Sequence, residues 1–542
     1  MGALKIFLVF LVVRLLSVFL VTTFFVPDEY WQSLEVAHKL VFGYGFMTWE
    51  WASRIRSYLY PLVFAGFYKV LALLGYDTVE LLVIGPRILQ ALLTAYSDYR
   101  FYVWTGKKKW SLFLLLTSYF WFYAGSRTLI NTLEASLTTI ALSMFPWHSG
   151  NSNQSKSNIS SKSEKVGDTL ISKQKNLCDQ AERTDFLWLT AICCYIRPTA
   201  ALTWLPLCII HLKNSEHSAI ELILKRYIPI GLLAGGLCIG VDSYIYGLFT
   251  VPPAQFFLYN IYENIGSFYG VHEWYWYLAV GLPTLLGIST LPFLFAVINT
   301  ILNWNAFPIR KALLISILFT LAGLSFIEHK EHRFLLIILP MCLYICSDYL
   351  SRWSTRANSL LVWLFAAAII AGNAAPGWYF STVHQKGTLE VMKPLAKIAE
   401  SYRDKDNNPA RLLFLMPCHS TPFYSHIHQN ITMYFVECDP HNDKDYQIFN
   451  NDPERWLRMK VPAMPLSRVP SHVVLYNTLV PRVRTFLSRY RKIERIHHTD
   501  YPVSNTGTYI HTYEINLEEE YERQFVEDPV ASSPSHSGHD EL

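Results

Sequence analysis

The chain has 542 residues, of which 51% are hydrophobic, 15% aromatic and only 16% charged. Soluble domains carry about 25% charged residues, and the mean hydropathy here is +0.20, so lipid must solvate part of the chain. A net charge of +4 is too small to suggest a nucleic-acid partner, and the nine cysteines show no CxxC pair and no regular spacing.

Eleven stretches approach the roughly 20 apolar residues that cross a bilayer. They lie near 5–26, 58–75, 80–97, 110–124, 129–146, 186–210, 227–248, 275–300, 312–327, 334–350 and 359–376. The first contains Arg14 and runs into VPDEYW without a small-residue cleavage site, so it reads as a retained anchor. Asp28 and Glu29 follow Pro27, which turns the chain out of the membrane. The amphipathic segment beyond them carries Tyr30, Trp31, Trp49 and Trp51, rings that favour the interface. Such a segment pins the carboxylates near the headgroups, where one can act as a general base. Solvated surface charges are the competing reading.

Residues 148–184 are rich in Ser, Asn and Lys and cannot bury a core. They form a disordered linker with sequons at Asn153 and Asn158. Arg54, Arg56, Arg127 and Arg197 fall at edges of apolar stretches, where they serve as snorkelling anchors or as anion ligands. The loop 257–277 combines aromatics with Asn260, Glu263, Asn264 and His272, a set that suits either sugar binding or an aromatic belt. HKEHRF, residues 329–334, has five ionisable residues in six between two apolar spans. Continued helix would place His329 and Arg333 on one face, with Lys330 three before Arg333. Ionisable residues crowded there point to function, with an anionic headgroup as the natural partner of Arg and Lys.

Basic residues in 211–226, 303–311 and 351–356 place those loops in the cytoplasm. Alternation then puts 27–57, 249–274, 328–333 and everything after 376 in the lumen. The terminal tetrapeptide, His539 to Leu542, spells HDEL, a luminal retention signal of the endoplasmic reticulum, at the end of a disordered tail, 526–542. With eleven simple spans TGKKKW (105–110) lies in the lumen, against the charge rule. The alternative makes 58–75 interfacial and splits 186–210 at IRPTA (196–200), which returns the lysines to the cytoplasm. The expected architecture is an α-helical polytopic membrane region, 1–376, followed by a mixed α/β luminal domain, 377–525. The strand-like runs RLLFLMP, HVVLYNTLV and GTYIHTYEINL lie in that domain. Its sequon is Asn430, and Cys418 and Cys438 are candidates for a disulfide in an oxidising lumen. HSTPFYSHIH (419–428) is a weak candidate for a metal.

The blocks FVPDEYWQSLEVAH, GYGFMTWEW, RSYLYP, GPRILQALLTAYSDYR, SRTLINTLEA, IRPTA and HKEHRF, in that order, resemble the signatures of the GT22 family of dolichyl-phosphate-mannose-dependent mannosyltransferases. VHQKGTLEVM and MPCHSTPFYSHIH resemble the branch that adds the third, α-1,2-linked mannose to the glycosylphosphatidylinositol (GPI) precursor. The resemblance implies a GT-C fold in the endoplasmic reticulum membrane and an inverting transfer from dolichyl-phosphate-mannose to a GPI glycolipid. It makes Asp28 the base, with Glu29 orienting the acceptor or sharing the load. Arg333, Lys330, His329, Arg127 and Arg197 would hold the donor phosphate, and Trp31, Arg56, Tyr58, Asn260 and His272 the substrates. No cofactor is implied with certainty, and divalent metal dependence stays open. An N-glycan-pathway mannosyltransferase, an enzyme adding the fourth GPI mannose, and a polyprenyl-phosphate transporter are the alternatives.

Overall fold

The computed structural model describes residues 2–147, 184–215, 217–403, 409–461, 469–503 and 505–516. The expected linker with Asn153 and Asn158, and the terminal HDEL, lie outside them. The chain divides into two compact units, one ending at Thr382 and the other beginning at Val383.

The first unit is helical. Among the described residues seven helices are long and apolar enough to cross a membrane: Ala3–Leu20, Val79–Trp104, Ala219–Tyr246, Tyr277–Leu302, Pro308–Ser325, His332–Trp353 and the one that starts at Ser359. The other four expected spans are shorter or interrupted. Leu59–Leu74 has 16 residues and Ile130–Met144 has 15. The 110–124 stretch breaks at Ser118, whose extended backbone (ψ 103°) ends Lys109–Thr117 before Tyr119–Ala124 begins. The 186–210 stretch breaks at Arg197, also extended (φ −134°, ψ 99°), between Phe186–Ile196 and Ala200–Asn214. Pro198 accounts for the second break, because the residue before a proline is pushed out of the helical region.

His332–Trp353 is the central span, with 83% of its apolar window buried. Polar ties lock its neighbours in register. On the first helix, buried Arg14 donates to Asp98 at 2.6 Å and to the Trp121 carbonyl at 3.0 Å. An unpaired charge here would cost several kcal/mol, on the order of 3–5, so the pair sets how Ala3–Leu20 lies against Val79–Trp104. Farther along the central span, Asp348 accepts from Lys108, from Arg310 at 2.6 Å and from Arg352 at 3.2 Å. Trp110 donates to Ser354 at 3.0 Å. These bonds place TGKKKW at the same end of the bundle as the basic segments 303–311 and 351–356. The lysines thus share that end with the other basic segments, and the chain breaks at Arg197, two features of the alternative arrangement. Cysteines placed at Lys107 and Arg356, both exposed, should react with a membrane-impermeant maleimide from one side of sealed vesicles. A cysteine at Trp274 should react from the other. Opposite labelling of the first two would refute this packing.

The second unit contains a five-stranded sheet: β1 Arg411–Leu415, β2 Thr432–Phe435, β3 His472–Tyr476, β4 Tyr490–His497 and β5 Tyr509–Ile515. Their spatial order is β2-β1-β3-β5-β4. β1 pairs in parallel with β2 and β3, and β5 runs antiparallel to both β3 and β4. RLLFL and HVVLY are buried along their whole length, as parallel strands covered on both faces must be. The expected α/β character is present, and Cys418 and Cys438 are disulfide-bonded, their Cα atoms 5.8 Å apart. Among the described residues no group of three or more His, Cys, Asp or Glu side chains is placed to hold a metal ion.

Candidate active site

The first helix ends at Leu20, and the chain emerges through Val26 and Pro27. The Pro27 carbonyl accepts from Tyr30 N at 2.9 Å and from Trp31 N at 3.0 Å, which starts a π-helical turn over Tyr30–Leu34. Wide turns of this kind recur at functional sites. They separate two adjacent carboxylates. Glu29 is buried and takes Arg127 Nη1 at 2.7 Å. Arg127 is itself fully engaged, with Nε on the Tyr123 carbonyl at 3.0 Å, Nη2 on Thr23 at 3.2 Å and its guanidinium 4.1 Å over the Tyr123 ring. Asp28 points the other way, keeps 20% of its side chain exposed and pairs with Arg333.

HKEHRF does not continue the helix. Residues 326–331 form a turn and extended chain, and a 3-10 helix starts at His332. The expected helical face joining His329 to Arg333 is therefore corrected. The segment bonds outward instead. Glu328 O accepts from His272 N at 3.0 Å, and Lys330 Nζ donates to the carbonyls of His272 at 2.8 Å and Ile327 at 2.7 Å. Glu331 makes the link that a helix would have made. It takes Arg333 Nη2 at 2.5 Å and His329 Nε2 at 3.0 Å. Burial pushes the Glu331 carboxyl up, but Arg333 and His329 overcome it and hold the group well below the carboxylate range. Burial works against charge on His329 too, yet its bond to Glu331 raises its pKa.

A third carboxylate completes the row. Gln32 Nε2 donates to Asp28 at 2.6 Å and to Glu50 at 3.1 Å, and Glu50 takes Arg56 Nη2 at 2.5 Å. The order His329, Glu331, Arg333, Asp28, Gln32, Glu50, Arg56 is thus one continuous hydrogen-bonded chain. Arg197 approaches from the side. Glu134 holds it at 3.0 Å, and it lies 5.4 Å from the Phe334 ring centroid, while Arg333 lies 5.3 Å from the same ring. Two guanidinium groups therefore share one aromatic ring.

The remaining expected residues are dispersed. Trp31 is buried, with its carbonyl taken by Trp51 Nε1 at 3.1 Å. Tyr58 is buried between Trp51 and Tyr246, its ring 4.7 and 4.8 Å from theirs, and its N–H donates to Asp242 at 2.8 Å. Both brace the loop that carries Glu50 and Arg56. Asn260 donates to its own helix at Phe256 O, 3.2 Å away, and exposed His272 stacks on Trp276 with ring centroids 4.8 Å apart. Sequence reasoning missed Gln32, Glu50, Glu134 and Glu331 as functional candidates. Glu50, flanked by Trp49 and Trp51, carried a usable signal: a charge inside an otherwise aromatic interfacial stretch.

The family model of the Alg9-like mannosyltransferases matches residues 5–428. GPI mannosyltransferase 3 of Drosophila melanogaster is 53% identical over 92% of this chain and 84% of its own length. GPI alpha-1,2-mannosyltransferase 3 of Danio rerio is 39% identical over 95% and 90%, and that of Homo sapiens 36% identical over 93% and 86%. Among solved structures, ArnT from Cupriavidus metallidurans bound to undecaprenyl phosphate superposes with a TM-score of 0.57, covering 95% of this chain and 98% of that one at 11% identity. That likeness carries the fold alone, and the fold is GT-C. By sequence, this chain belongs to the Alg9-like mannosyltransferase family.

Proposed function

We propose that this enzyme transfers mannose from dolichyl-phosphate-mannose to the 2-hydroxyl of the second mannose of the GPI precursor, in the lumen of the endoplasmic reticulum. One observation carries the mechanism: a partly exposed carboxylate, Asp28, paired with Arg333, which shares the Phe334 ring with Arg197. The names of the relatives supply the acceptor. Asp28 accepts the proton of the acceptor hydroxyl as its oxygen attacks the anomeric carbon. The bond from that carbon to the phosphate oxygen breaks, and its electron pair leaves with the phosphate. The phosphate already carries charge, so cations suffice where a glycosidase would need an acid.

Arg333 and Arg197 are the groups assigned to the phosphate, with Arg56 at the acceptor side through Glu50. Glu29 and Arg127 are assigned to holding the Pro27 turn, because their charges satisfy each other in a buried pair. Lys330 and His329 are assigned to shaping the arginine loop. Depletion of the protein in cells should cause a GPI glycolipid with two mannoses to accumulate, identified by mass spectrometry of labelled lipids. A truncated N-glycan precursor in its place would redirect the assignment to another branch of the family.

A further inference from the structure

The two carboxylate oxygens of Asp28 are not equivalent. Gln32 Nε2 donates to Oδ2 at 2.6 Å, and Arg333 Nη1 donates to the same atom. A carboxylate oxygen offers two lone pairs in its plane, so Oδ2 has both in use. Among the described residues no donor is bonded to Oδ1. That oxygen is not buried, and Asp28 keeps 20% of its side chain exposed. The open face of the carboxylate is therefore the Oδ1 face.

Gln32 lies four positions after Asp28, a spacing that brings side chains together on a helical turn. It is anchored on its far side. Its Nε2 also donates to Glu50 Oε2 at 3.1 Å, while Glu50 Oε1 takes Arg56 Nε at 3.1 Å and Nη2 at 2.5 Å. The two hydrogens of one amide nitrogen thus span two carboxylates. This settles which way the amide faces, because its carbonyl turned there would meet two anions. The consequence for the carbonyl is unfavourable. Gln32 is 3% exposed, and its Oε1 is buried with no hydrogen-bond partner. A buried acceptor left unpaired is a net cost that an apolar side chain of the same length would avoid. Packing alone would favour that apolar side chain. What the glutamine adds is its hold on Asp28.

We infer that Gln32 is a positioning residue for the transfer: with Arg333 it holds Oδ2 of Asp28, so that Oδ1 is the atom that receives the proton. The assignment rests on the reaction proposed above. In that reaction the O–H bond of the acceptor hydroxyl breaks and its proton passes to Oδ1. The hydroxyl oxygen forms its bond to the anomeric carbon, and the phosphate leaves with the electron pair of the bond it loses. Transfer to Oδ2 would first require one of its two donors to let go. Rotation about the Cβ–Cγ bond would exchange the two oxygens and turn the free one away from the hydroxyl. Arg333 is assigned to the phosphate as well, and an incoming anion draws it away from Asp28. The neutral amide, tied at Glu50, is not drawn away and keeps the carboxylate in place.

The test is a double-variant cycle in the full-length enzyme in detergent–phospholipid micelles, with dolichyl-phosphate-mannose as donor and the two-mannose GPI glycolipid as acceptor. Gln32→Met keeps the length of the side chain and removes its donor. It should lower kcat about 10–100-fold, the scale of a misplaced reacting group, with both KM values within about two-fold of the unaltered enzyme. In the Asp28→Asn background the same change should cost less than about two-fold, because a residue that acts through Asp28 has nothing left to position. Equal losses in both backgrounds would make Gln32 a packing residue, and a raised KM with kcat unchanged would make it a substrate ligand. Either result overturns the inference, as does full activity of Gln32→Met. Asp28→Asn measured alone keeps two failures apart. If it is nearly inactive while Gln32→Met is fully active, only the positioning role falls. If Asp28→Asn is itself nearly fully active, the proposed reaction falls and this assignment falls with it.

Discussion

Asp28→Asn should reduce mannose transfer by about 10²–10⁴-fold, the range lost with a general base, while protein level and membrane insertion stay normal. Asparagine matches aspartate in shape and can still bond Gln32, which now donates to Asp28 at 2.6 Å. It cannot accept the acceptor's proton, and it gives up the ion pair to Arg333. Glu29 does not rescue the reaction, because its carboxylate is buried against Arg127 on the other side of the turn. The measurement is transfer of labelled mannose in microsomes, normalised to immunoblotted protein. Activity of the variant near that of the unaltered enzyme would remove Asp28 from the chemistry.

Arg333→Ala is expected to have the second-largest effect, and of a different kind. The guanidinium satisfies Asp28 and Glu331 together, and its loss leaves two carboxylates near one another without their shared cation. Loss of a preorganised cation facing a developing phosphate charge typically lowers turnover by about 10²–10³-fold. The donor should suffer more than the acceptor, with a raised KM for the dolichol-linked sugar. Arg333→Lys separates charge from shape. It keeps one positive charge but not the fork that reaches both carboxylates, so it should recover part of the turnover and little of the donor affinity. Equal effects on donor and acceptor would dismiss a phosphate role for this residue.

The two ends of this machinery were legible in the sequence for physical reasons. A proline followed by two carboxylates at the end of an apolar helix, and five ionisable residues between two spans, are both expensive near lipid. Their partners were not legible. Gln32 and Glu50 are 18 positions apart and meet because the π-helical turn and the loop 43–58 fold back on each other. The helical reading of HKEHRF failed because Lys330 and Glu328 bond across to the 272 segment, which no local periodicity reports. Several arginines were placed correctly at the edges of helices, but spacing could not say that Arg127 is already satisfied by Glu29 while Arg197 is turned by Glu134 towards the ring that Arg333 also shares.

The apolar spans were readable wherever the sequence was long and uniformly apolar. Where it was not, the helices are present but shorter or interrupted. Ile130–Met144 buries Asn131, Thr132, Glu134, Ser136, Thr138 and Thr139, so it faces protein on most sides and needs less hydrophobicity than a span exposed to lipid. The short helices on either side of Arg197 follow from Pro198 instead, and the extended break leaves Arg197 beside Phe334.

The stitch made by Lys330 has a mechanical consequence. Its ammonium fastens the carbonyl of His272 to the strip that ends in Arg333. On the fastened side the rings of Tyr262, Trp274 and Tyr275 stand out at 85%, 68% and 49% exposure, with the build of a float riding at the headgroup level. Breaking that one hydrogen bond would loosen the aromatic segment from the strip that carries Arg333, the residue opposite Asp28.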